Sequence, residues 1–330
     1  MPKLPELSVV VPCYNEQDVI RECHRRLTEA IRPHVSSFEI VYVNDGSSDN
    51  TLSLLLGLYS SNAEVRIVNF SRNFGHQLAV SAGLEYAEGE AVAIIDADLQ
   101  DPPEVLVQML QKYREGYDVV YGVRRTRLGE SLFKLQTAKF FYRFINLLSD
   151  TPIPLDTGDF RLMSRRAVAA LTSMRESHRL LRGMASWIGF RQFGLEYERA
   201  PRFAGTTKYP FRKMLSLAID GVLSFSTLPL RLFTFAGIAA AVFALLGIFY
   251  ALALRLFTNI WVRGWTLLFI GMLFLGGLQL ISLGIVGEYV GRIYTETKRR
   301  PLFLVQEFFG AKNAGKPGSE SMLTVKQWRE

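Results

Sequence analysis

Short apolar runs alternate with amphipathic segments along the first part of this 330-residue chain. The amphipathic segments have the three- and four-residue spacing of helices, and the apolar runs are rich in the β-branched residues that favour strands. The runs occupy residues 7–11, 39–43, 65–70, 91–95 and 118–121. This alternation predicts an α/β domain whose parallel sheet is covered by helices on both faces. Ligands of such sheets bind outside the carboxyl ends of the strands.

Two much longer apolar stretches follow at residues 233–254 and 264–287, and neither contains Asp, Glu, Lys or Arg. Each exceeds the roughly 20 residues that a helix needs to cross a hydrocarbon core of about 30 Å. We therefore predict a hairpin of two transmembrane helices within residues 231–290, rather than two buried helices of a soluble core. Basic residues are more frequent beside the hairpin than in its loop, residues 255–263, which predicts that both termini are cytoplasmic.

The remaining boundaries follow from composition. Residues 1–210 form the predicted cytoplasmic catalytic domain, and residues 211–230 form a juxtamembrane amphipathic segment. Residues 291–330 are predicted to be a cytoplasmic C-terminal segment that is flexible past about residue 310. Within the first domain, residues 131–148 combine large apolar residues with Lys and Arg, which is typical of a helix in the membrane interface. The same aromatic stripe also fits a core or oligomer contact.

The overall charge agrees with a protein at a membrane surface. The chain has a net charge of +7 and a pI near 9.4, which suits contact with anionic lipid. Nucleic acid is the competing explanation of a basic chain, but no nucleic-acid-binding motif is recognisable, so we expect no nucleic-acid partner. The two cysteines are too few for a disulfide framework and indicate reduced thiols.

A pair of carboxylates, Asp96 and Asp98, follows the apolar run at residues 91–95. In an extended segment the i, i+2 spacing places both side chains on the same face, so that both can bind one hard cation. Mg²⁺ held by one or two carboxylates usually completes its coordination with water and substrate phosphates. The pair therefore predicts a Mg²⁺ or Mn²⁺ site that binds a nucleotide diphosphate. An acidic turn without a ligand is the alternative.

Six short motifs occur in order along the chain. They are Val11-Pro-Cys-Tyr-Asn-Glu16, Asn44-Asp-Gly-Ser-Ser-Asp49, Ser71-Arg-Asn-Phe-Gly75, Asp96-Ala-Asp-Leu-Gln-Asp101, Gly158-Asp-Phe-Arg161 and Arg202-Phe-Ala-Gly-Thr-Thr-Lys208. Together they resemble the family 2 glycosyltransferases of the polyprenyl-phosphate type. The resemblance is closest to bactoprenol (undecaprenyl-phosphate) glucosyltransferases and weaker to dolichyl-phosphate mannose synthases. It implies a GT-A, Rossmann-like domain followed by a two-helix transmembrane hairpin. His76-Gln77 departs from the Gly-Lys-Glu run of similar proteins.

The resemblance also implies which residues bind the donor. Four residues of the first two motifs would contact the base and ribose, with Asp96 beside them; the four are Pro12, Tyr14, Glu16 and Asp45. The metal ligands would be Asp96, Asp98 and the amide oxygen of Gln100.

On the acceptor side, the resemblance implies three phosphate-binding residues, Arg124, Arg202 and Lys208. By the same resemblance, Asp159 corresponds to the carboxylate that is usually proposed as catalytic base in such enzymes. Because a phosphate monoester has its second pKa near 6, the acceptor is mostly a dianion at cytosolic pH. We therefore expect Asp159 to orient groups more than to remove a proton. The alternative is that Asp159 caps the helix predicted from Ser164 to Ala170.

The function that the resemblance implies is inverting transfer of a hexose to undecaprenyl phosphate at the bacterial inner membrane, for modification of envelope glycans such as lipopolysaccharide O-antigen. UDP-glucose is the first donor expected, followed by UDP-galactose, UDP-N-acetylhexosamine and GDP-mannose. A homotetramer is implied as well. A processive polysaccharide synthase is a weaker alternative, because the chain lacks a Gln-x-x-Arg-Trp segment and further membrane helices. A non-catalytic membrane scaffold is the other alternative.

Overall fold

The structure, a computed structural model, describes residues 4–125, 157–177, 179–199, 228–257 and 264–310. Within these ranges one sheet contains β1 (Leu7–Cys13), β2 (Phe38–Asn44), β3 (Val65–Phe70), β4 (Ala91–Ile94), β5 (Val119–Arg124), β6 (Thr157–Ser164), β7 (Gln192–Tyr197) and β8 (Val305–Phe309). The helices are α1 (Ile20–Ile31), α2 (Thr51–Ser61), α3 (His76–Tyr86), α4 (Val105–Arg114), α5 (Arg165–Ser173), α6 (Leu181–Trp187), α7 (Leu228–Phe257) and α8 (Trp265–Thr297).

The strand order across the sheet is β7-β5-β6-β4-β1-β2-β3-β8. β1 pairs in parallel with β2 and β4, and β2 pairs in parallel with β3. β1 and β4 are buried along their whole length, as expected for strands that are covered on both faces. The prediction of a parallel sheet is nevertheless wrong for β6 and β8, which run antiparallel to their neighbours.

Helices pack closely on the parallel part of the sheet. The buried residues of α1 recur at three- and four-residue spacing, which gives the helix one apolar face; these residues include Ile20, Cys23, Leu27 and Ile31. In α3, Gly83 lies against β1, and a Cβ at this position would be only 2.1 Å from Val10 Cγ1. A larger residue at position 83 would therefore push α3 away from the sheet.

β8 is an edge strand that the sequence pattern does not predict. It follows α8 in the chain and pairs with β3, with Ile67 opposite Phe309. Aromatic contacts fix this segment, since the Phe303 ring stacks on Phe70 at 5.2 Å between centroids. The C-terminal segment thus contributes a strand to the sheet before residue 310, and residues past 310 lie outside the described part of the chain.

α7 and α8 belong to a second compact unit of the chain, which we call the helical unit; the unit that contains the sheet is the sheet unit. The two helices contact each other and have 30 and 33 residues, so each extends beyond its predicted apolar stretch. Among the described residues, one helical segment, Gly271–Thr297, is long and apolar enough to cross a membrane, with a mean hydropathy of 1.6. The apolar segment of α7, Phe233–Gly247, is shorter. The predicted interfacial segment 131–148 and most of residues 211–230 lie outside the described ranges.

Candidate active site

The carboxyl ends of β1, β2, β3 and β4 lie at one edge of the sheet, because these four strands are parallel and adjacent. Each is followed by a short loop, and four of the six sequence motifs lie in or extend into these loops. We name them loop A (residues 14–19), loop B (45–50), loop C (71–75) and loop D (95–104). A ligand site at this edge agrees with the general behaviour of such sheets.

Loops A and B hold each other through side chains. The backbone N–H of Asn15 donates to Ser47 Oγ at 3.0 Å, and Asn15 Oδ1 accepts from the N–H of Ser48 at 2.8 Å. Asn15 has a φ of 55°, a left-handed conformation that asparagine tolerates better than most residues. This turn leaves Tyr14 exposed at the edge, whereas Pro12 is buried within β1. Of these two predicted wall residues, only Tyr14 therefore presents an open surface.

Asp45 joins loop B to loop C. Its carboxylate accepts the backbone N–H of Phe74 at 2.6 Å and that of Gly75 at 3.0 Å. Burial raises the pKa of Asp45, although the two N–H groups partly oppose this shift. Next to it, Gly46 has a φ of 63°, and a Cβ there would be 2.4 Å from the backbone carbon of Arg72. The two loops thus fit together without space for a side chain at position 46.

Loop D carries the predicted metal ligands just beyond β4. Asp98 Oδ1 accepts the backbone N–H of Gln100 at 3.1 Å, and between them Leu99 is buried with a φ of 57°. The side chain of Asp96 is 34% exposed, and its Oδ1 lies 3.7 Å from His76 Nε2. Desolvation, together with the nearby carboxylates of Asp101, Asp98 and Asp159, raises the pKa of Asp96 to about 6.

A divalent cation fits this group of residues. The raised pKa of Asp96 reflects desolvation and the neighbouring carboxylates, which the charge of His76 offsets only in part, and a bound cation would offset more of that charge. The described residues contain no cluster of three or more His, Cys, Asp or Glu side chains that could hold a metal alone. Two carboxylates that leave the other positions to water and a substrate diphosphate match the usual binding of Mg²⁺. Asp96 and Asp98 are therefore the candidate ligands.

β6 brings Asp159 to the same edge. In the antiparallel pairing of β4 with β6, Ile94 lies opposite Arg161, and continuation of this register places Asp159 level with Asp96. Asp159 Oδ2 accepts from Gln77 Nε2 at 2.6 Å and lies 3.2 Å from His76 Nε2. The other oxygen, Oδ1, is buried and has no hydrogen-bond partner among the described residues.

Positive charge surrounds Asp159. Burial opposes its ionisation, but the hydrogen bond from His76 and the charges of Arg182, His76 and Arg161 outweigh burial and hold the pKa of Asp159 well below its usual range. Burial likewise acts against a charged His76 ring, whereas Asp96 and Asp159 raise the pKa of His76 to about 9. Asp159 is therefore an anion throughout the neutral range.

Arg124, at the end of β5, is the predicted phosphate ligand that the structure describes. Its Nε lies 3.4 Å from Tyr197 Oη, and Tyr197 Oη in turn donates to the buried carboxylate of Asp101 in loop D. Gly158 makes room for the guanidinium, since a Cβ there would be 2.7 Å from Arg124 Nη2. The other two predicted phosphate ligands, Arg202 and Lys208, lie outside the described residues.

The structure thus brings together residues that are distant in the sequence, and it adds some that sequence reasoning did not assign. His76, Gln77, Arg161 and Arg182 all influence Asp159 directly. Arg161 lies in the quoted Gly-Asp-Phe-Arg motif, and His76-Gln77 follows the third motif, so proximity to a motif was the available signal. The alternative role of Asp159 as a helix cap is wrong, because Ser164 Oγ accepts the N–H of Ala167 at the start of α5.

Comparison with known proteins gives consistent matches. Residues 8–172 match the model of a family described as glycosyl transferase family 2. The chain is similar to the uncharacterized glycosyltransferase YkcC of Bacillus subtilis, with 47% identity over 93% of this chain and 95% of that protein. It is 48% identical to the uncharacterized glycosyltransferase sll0501 of Synechocystis, over 92% and 96% respectively. It is also 40% identical to a prophage bactoprenol glucosyl transferase homolog of Escherichia coli, over 91% and 98%.

Proposed function

This chain belongs to glycosyl transferase family 2 and is therefore a glycosyltransferase, and we propose that it transfers glucose from UDP-glucose to undecaprenyl phosphate with inversion at the anomeric carbon. The names of similar proteins, which specify bactoprenol as well as glucosyl transfer, support this choice of acceptor and sugar. The product would be a lipid-phosphate sugar that serves as donor for modification of envelope glycans.

One observation carries the proposal. The carboxylates of Asp96 and Asp98 and the buried anion Asp159 lie at one strand edge, with the Arg124 guanidinium close enough to interact with Asp96. Such an edge suits a reaction between two anionic substrates, because it combines carboxylates that can hold a cation with a guanidinium that can bind phosphate. Loops A and B, with Tyr14, would receive the base and ribose.

Asp96, Asp98 and Gln100 would hold Mg²⁺ or Mn²⁺. When bound, the cation would supply Lewis-acid neutralisation of charge on the departing UDP. The residues of the chain would orient the donor, exclude water from the anomeric carbon and bring the acceptor phosphate into line. Arg124, together with the predicted ligands Arg202 and Lys208, would reduce the repulsion between acceptor and donor.

In the transfer step, an acceptor phosphate oxygen forms a bond to the anomeric carbon while the bond from that carbon to the UDP oxygen breaks. The electron pair leaves with UDP. A dianionic phosphate monoester has no proton to lose, so the enzyme does not require a strong base. The low pKa of Asp159 agrees with this requirement, because an efficient general base has a pKa near the working pH. Asp159 is therefore proposed to position groups.

The acceptor is a lipid, and we propose that α7 and α8 both span the membrane with both termini in the cytoplasm. The span Gly271–Thr297 and the absence of acidic and basic residues from residues 233–254 and 264–287 support two crossings. The protein would then be an integral protein of the bacterial inner membrane. A tetramer, implied by the resemblance, stays a prediction.

A donor screen tests the proposed function. The purified full-length protein is incubated with undecaprenyl phosphate, Mn²⁺ and labelled UDP-glucose, UDP-galactose, UDP-N-acetylglucosamine or GDP-mannose, and the lipid products are identified by mass spectrometry. The expected result is a single hexose on the lipid phosphate, formed fastest from UDP-glucose and β-linked by NMR. Faster transfer from GDP-mannose would favour the alternative donor. A long glycan product, or no lipid product with any donor, would contradict the proposal.

A further inference from the structure

The side chain of Gln77 lies between Asp159 and the start of α6. Its Nε2 donates to Asp159 Oδ2 at 2.6 Å, and its Oε1 accepts the backbone N–H of Leu181 at 2.9 Å. Because a backbone N–H can only donate, the carbonyl oxygen of Gln77 faces Leu181 and its NH₂ group faces Asp159. A hydrogen-bond donor on one side, the Leu181 N–H, and an acceptor on the other, the Asp159 carboxylate, therefore determine the orientation of this amide.

The same contacts determine the orientation of the Asp159 carboxylate. Oδ2 meets both Gln77 Nε2 and His76 Nε2, whereas Oδ1 is buried and lacks a hydrogen-bond partner within the described residues. Arg161 Nη2 lies 3.9 Å from Oδ1, which is beyond hydrogen-bond distance. Oδ1 thus faces the protein interior beside Arg161, and Oδ2 is the oxygen whose contacts with Gln77 and His76 fix the orientation of the carboxylate.

The main chain on the other side of Gln77 is fixed as well. Loop C ends at Gly75, and its N–H and that of Phe74 bind the carboxylate of Asp45. α3 therefore begins from an anchored loop, and its second residue, Gln77, contacts Leu181 at the start of α6, where the Leu181 carbonyl accepts from Arg161 Nη1 at 3.3 Å. Because the backbone and the side-chain amide of Gln77 are both held, the Asp159 carboxylate that it contacts has little freedom to move.

We propose that Gln77 is a positioning residue, which acts through Asp159 by holding Oδ2 and so fixing where this carboxylate lies beside Asp96. This inference rests on the proposed function, in which Asp159 works next to the acceptor. Displacement of a positioned group by about 1 Å can cost on the order of 10²-fold in rate. Loss of the Gln77 contact should therefore lower kcat, while binding of the nucleotide at loops A and B should change little.

The first test replaces Gln77 by methionine, which has a similar length but can form neither hydrogen bond. In the full-length protein, Gln77→Met should lower kcat for lipid glycosylation by about 10- to 100-fold and change the KM for the nucleotide sugar by less than about 2-fold. Gln111→Met on the exposed side of α4 is the matched control and should retain wild-type kcat. Equal activity of Gln77→Met and the control would overturn the inference.

A double variant separates positioning from a purely structural role. If Gln77 acts only through Asp159, then Gln77→Met combined with Asp159→Asn should be no slower than Asp159→Asn alone, within about 2-fold. Losses that multiply would show that Gln77 acts elsewhere, for example by capping α6 through Leu181, and would overturn the proposal.

A second variant keeps the cap on α6 and so guards against misfolding. Gln77→Glu retains an oxygen for the Leu181 N–H but replaces the donor to Asp159 by an acceptor. The introduced carboxylate would repel Asp159 when it is ionised, whereas its protonated form can donate to Asp159. The ratio of Gln77→Glu to wild-type kcat should therefore rise at least several-fold as pH falls from 8 to 6. A ratio that is independent of pH would contradict positioning through this contact.

Failure of the proposed function would look different from failure of this inference. If the wild-type protein forms no lipid-linked sugar, the proposed function fails and the inference fails with it. If the wild type is active and Asp159→Asn is impaired, but Gln77→Met has wild-type kcat, only the role of Gln77 is wrong.

Discussion

The sheet unit buries most of its large apolar side chains, whereas the helical unit, which contains α7 and α8, exposes them. In the sheet unit, the apolar side chains of β1 and β4 are buried, and polar groups concentrate at one strand edge, where most have defined partners. In the helical unit, α8 exposes large apolar side chains along its length; they include Leu268, Met272, Phe274, Leu280 and Leu283. The first arrangement suits water and the second suits hydrocarbon.

This difference shows where each kind of substitution should act. At the strand edge, the chemistry depends on a few charges, so that loss of one carboxylate should remove activity and leave the fold intact. In α8 no side chain is expected to take part in chemistry, and a substitution should matter only through its compatibility with the lipid. Substitutions of the same type in both regions therefore test the distinction.

The largest effect is expected for Asp98→Asn. A cation that neutralises the leaving group contributes several kcal/mol to transition-state stabilisation, so kcat should fall on the order of 10³-fold. Removal of divalent ions by a chelator should produce a similar loss, and addition of Mn²⁺ should reverse only the chelator effect. Measurement of lipid-linked product against metal concentration checks both. Full activity in the chelator would remove the metal from the mechanism.

The control for this prediction is Glu115→Gln, an equivalent loss of charge at an exposed position in the sheet unit, which should leave kcat unchanged. Stability gives a second check. Desolvation raises the pKa of Asp96 to about 6, so its charge destabilises the metal-free fold at pH 7, and this cost develops as pH rises from its ordinary pKa toward 6. Asp96→Asn should therefore melt no lower than wild type at pH 7 without metal.

The next effect is expected for Asp159→Asn, at about 10²-fold in kcat. The pKa of Asp159 lies well below its usual range, so this side chain stays ionised at every pH where the enzyme works. Wild-type kcat should rise through the second pKa of the acceptor phosphate, about 6, and then stay level to pH 9. The Asn variant should follow a parallel curve. Strong recovery of the variant between pH 7 and 9 would instead identify Asp159 as a base.

Much of this strand edge could be predicted from sequence, because the apolar runs locate the strand ends. Asp96, Asp98 and Asp45 each follow such a run, and the parallel strands place them at one edge. The partners of Asp159 could not be predicted in this way. His76 and Gln77 reach it only because β6 inserts antiparallel beside β4, and the register of that pairing is not encoded in periodicity.

β8 was missed for a related physical reason. No helix follows its five residues among the described elements, so the alternation of strands and helices gives no signal there. The strand pairs with β3 only after the chain has passed through α8. Composition locates the apolar stretches of α7 and α8, yet the described helices extend to Phe257 and Thr297, beyond the predicted ends. Hydropathy locates the part of a helix that suits lipid, whereas backbone hydrogen bonding determines where the helix stops.

Leu280→Arg tests whether α8 faces lipid. Leu280 is 72% exposed within Gly271–Thr297, and an Arg near the middle of a span costs about 2.5–3.5 kcal/mol during insertion. The variant should show a several-fold lower fraction of protein in carbonate-washed membranes. Leu4→Arg is the matched control in the sheet unit, where Leu4 is 53% exposed, and it should be tolerated. Equal membrane fractions for Leu280→Arg and wild type would contradict a lipid-facing α8.

The smallest effects come from removal of one hydroxyl in each unit. Tyr197 is buried and donates to the carboxylate of Asp101, which is also buried, so Tyr197→Phe leaves a charged acceptor with one donor fewer. A hydrogen bond to a charged group contributes about 1.5–3 kcal/mol, and we expect a loss of about 2 kcal/mol in the free energy of unfolding. Because Tyr197 also contacts Arg124, the KM for one substrate should rise a few-fold.

Tyr294→Phe in α8 is the counterpart, because the Tyr294 side chain is exposed and the Lys298 ammonium, 4.1 Å from the ring centroid, interacts with the ring rather than with the hydroxyl. Phenylalanine keeps that ring, so we expect a change of less than about 0.5 kcal/mol in stability and no change in KM. Thermal unfolding in detergent and steady-state kinetics of both variants decide the matter. Equal losses of stability for Tyr197→Phe and Tyr294→Phe would show that the buried hydrogen bond of Tyr197 does not stabilise the sheet unit. The proposed difference between the two units would then be wrong at this pair of positions.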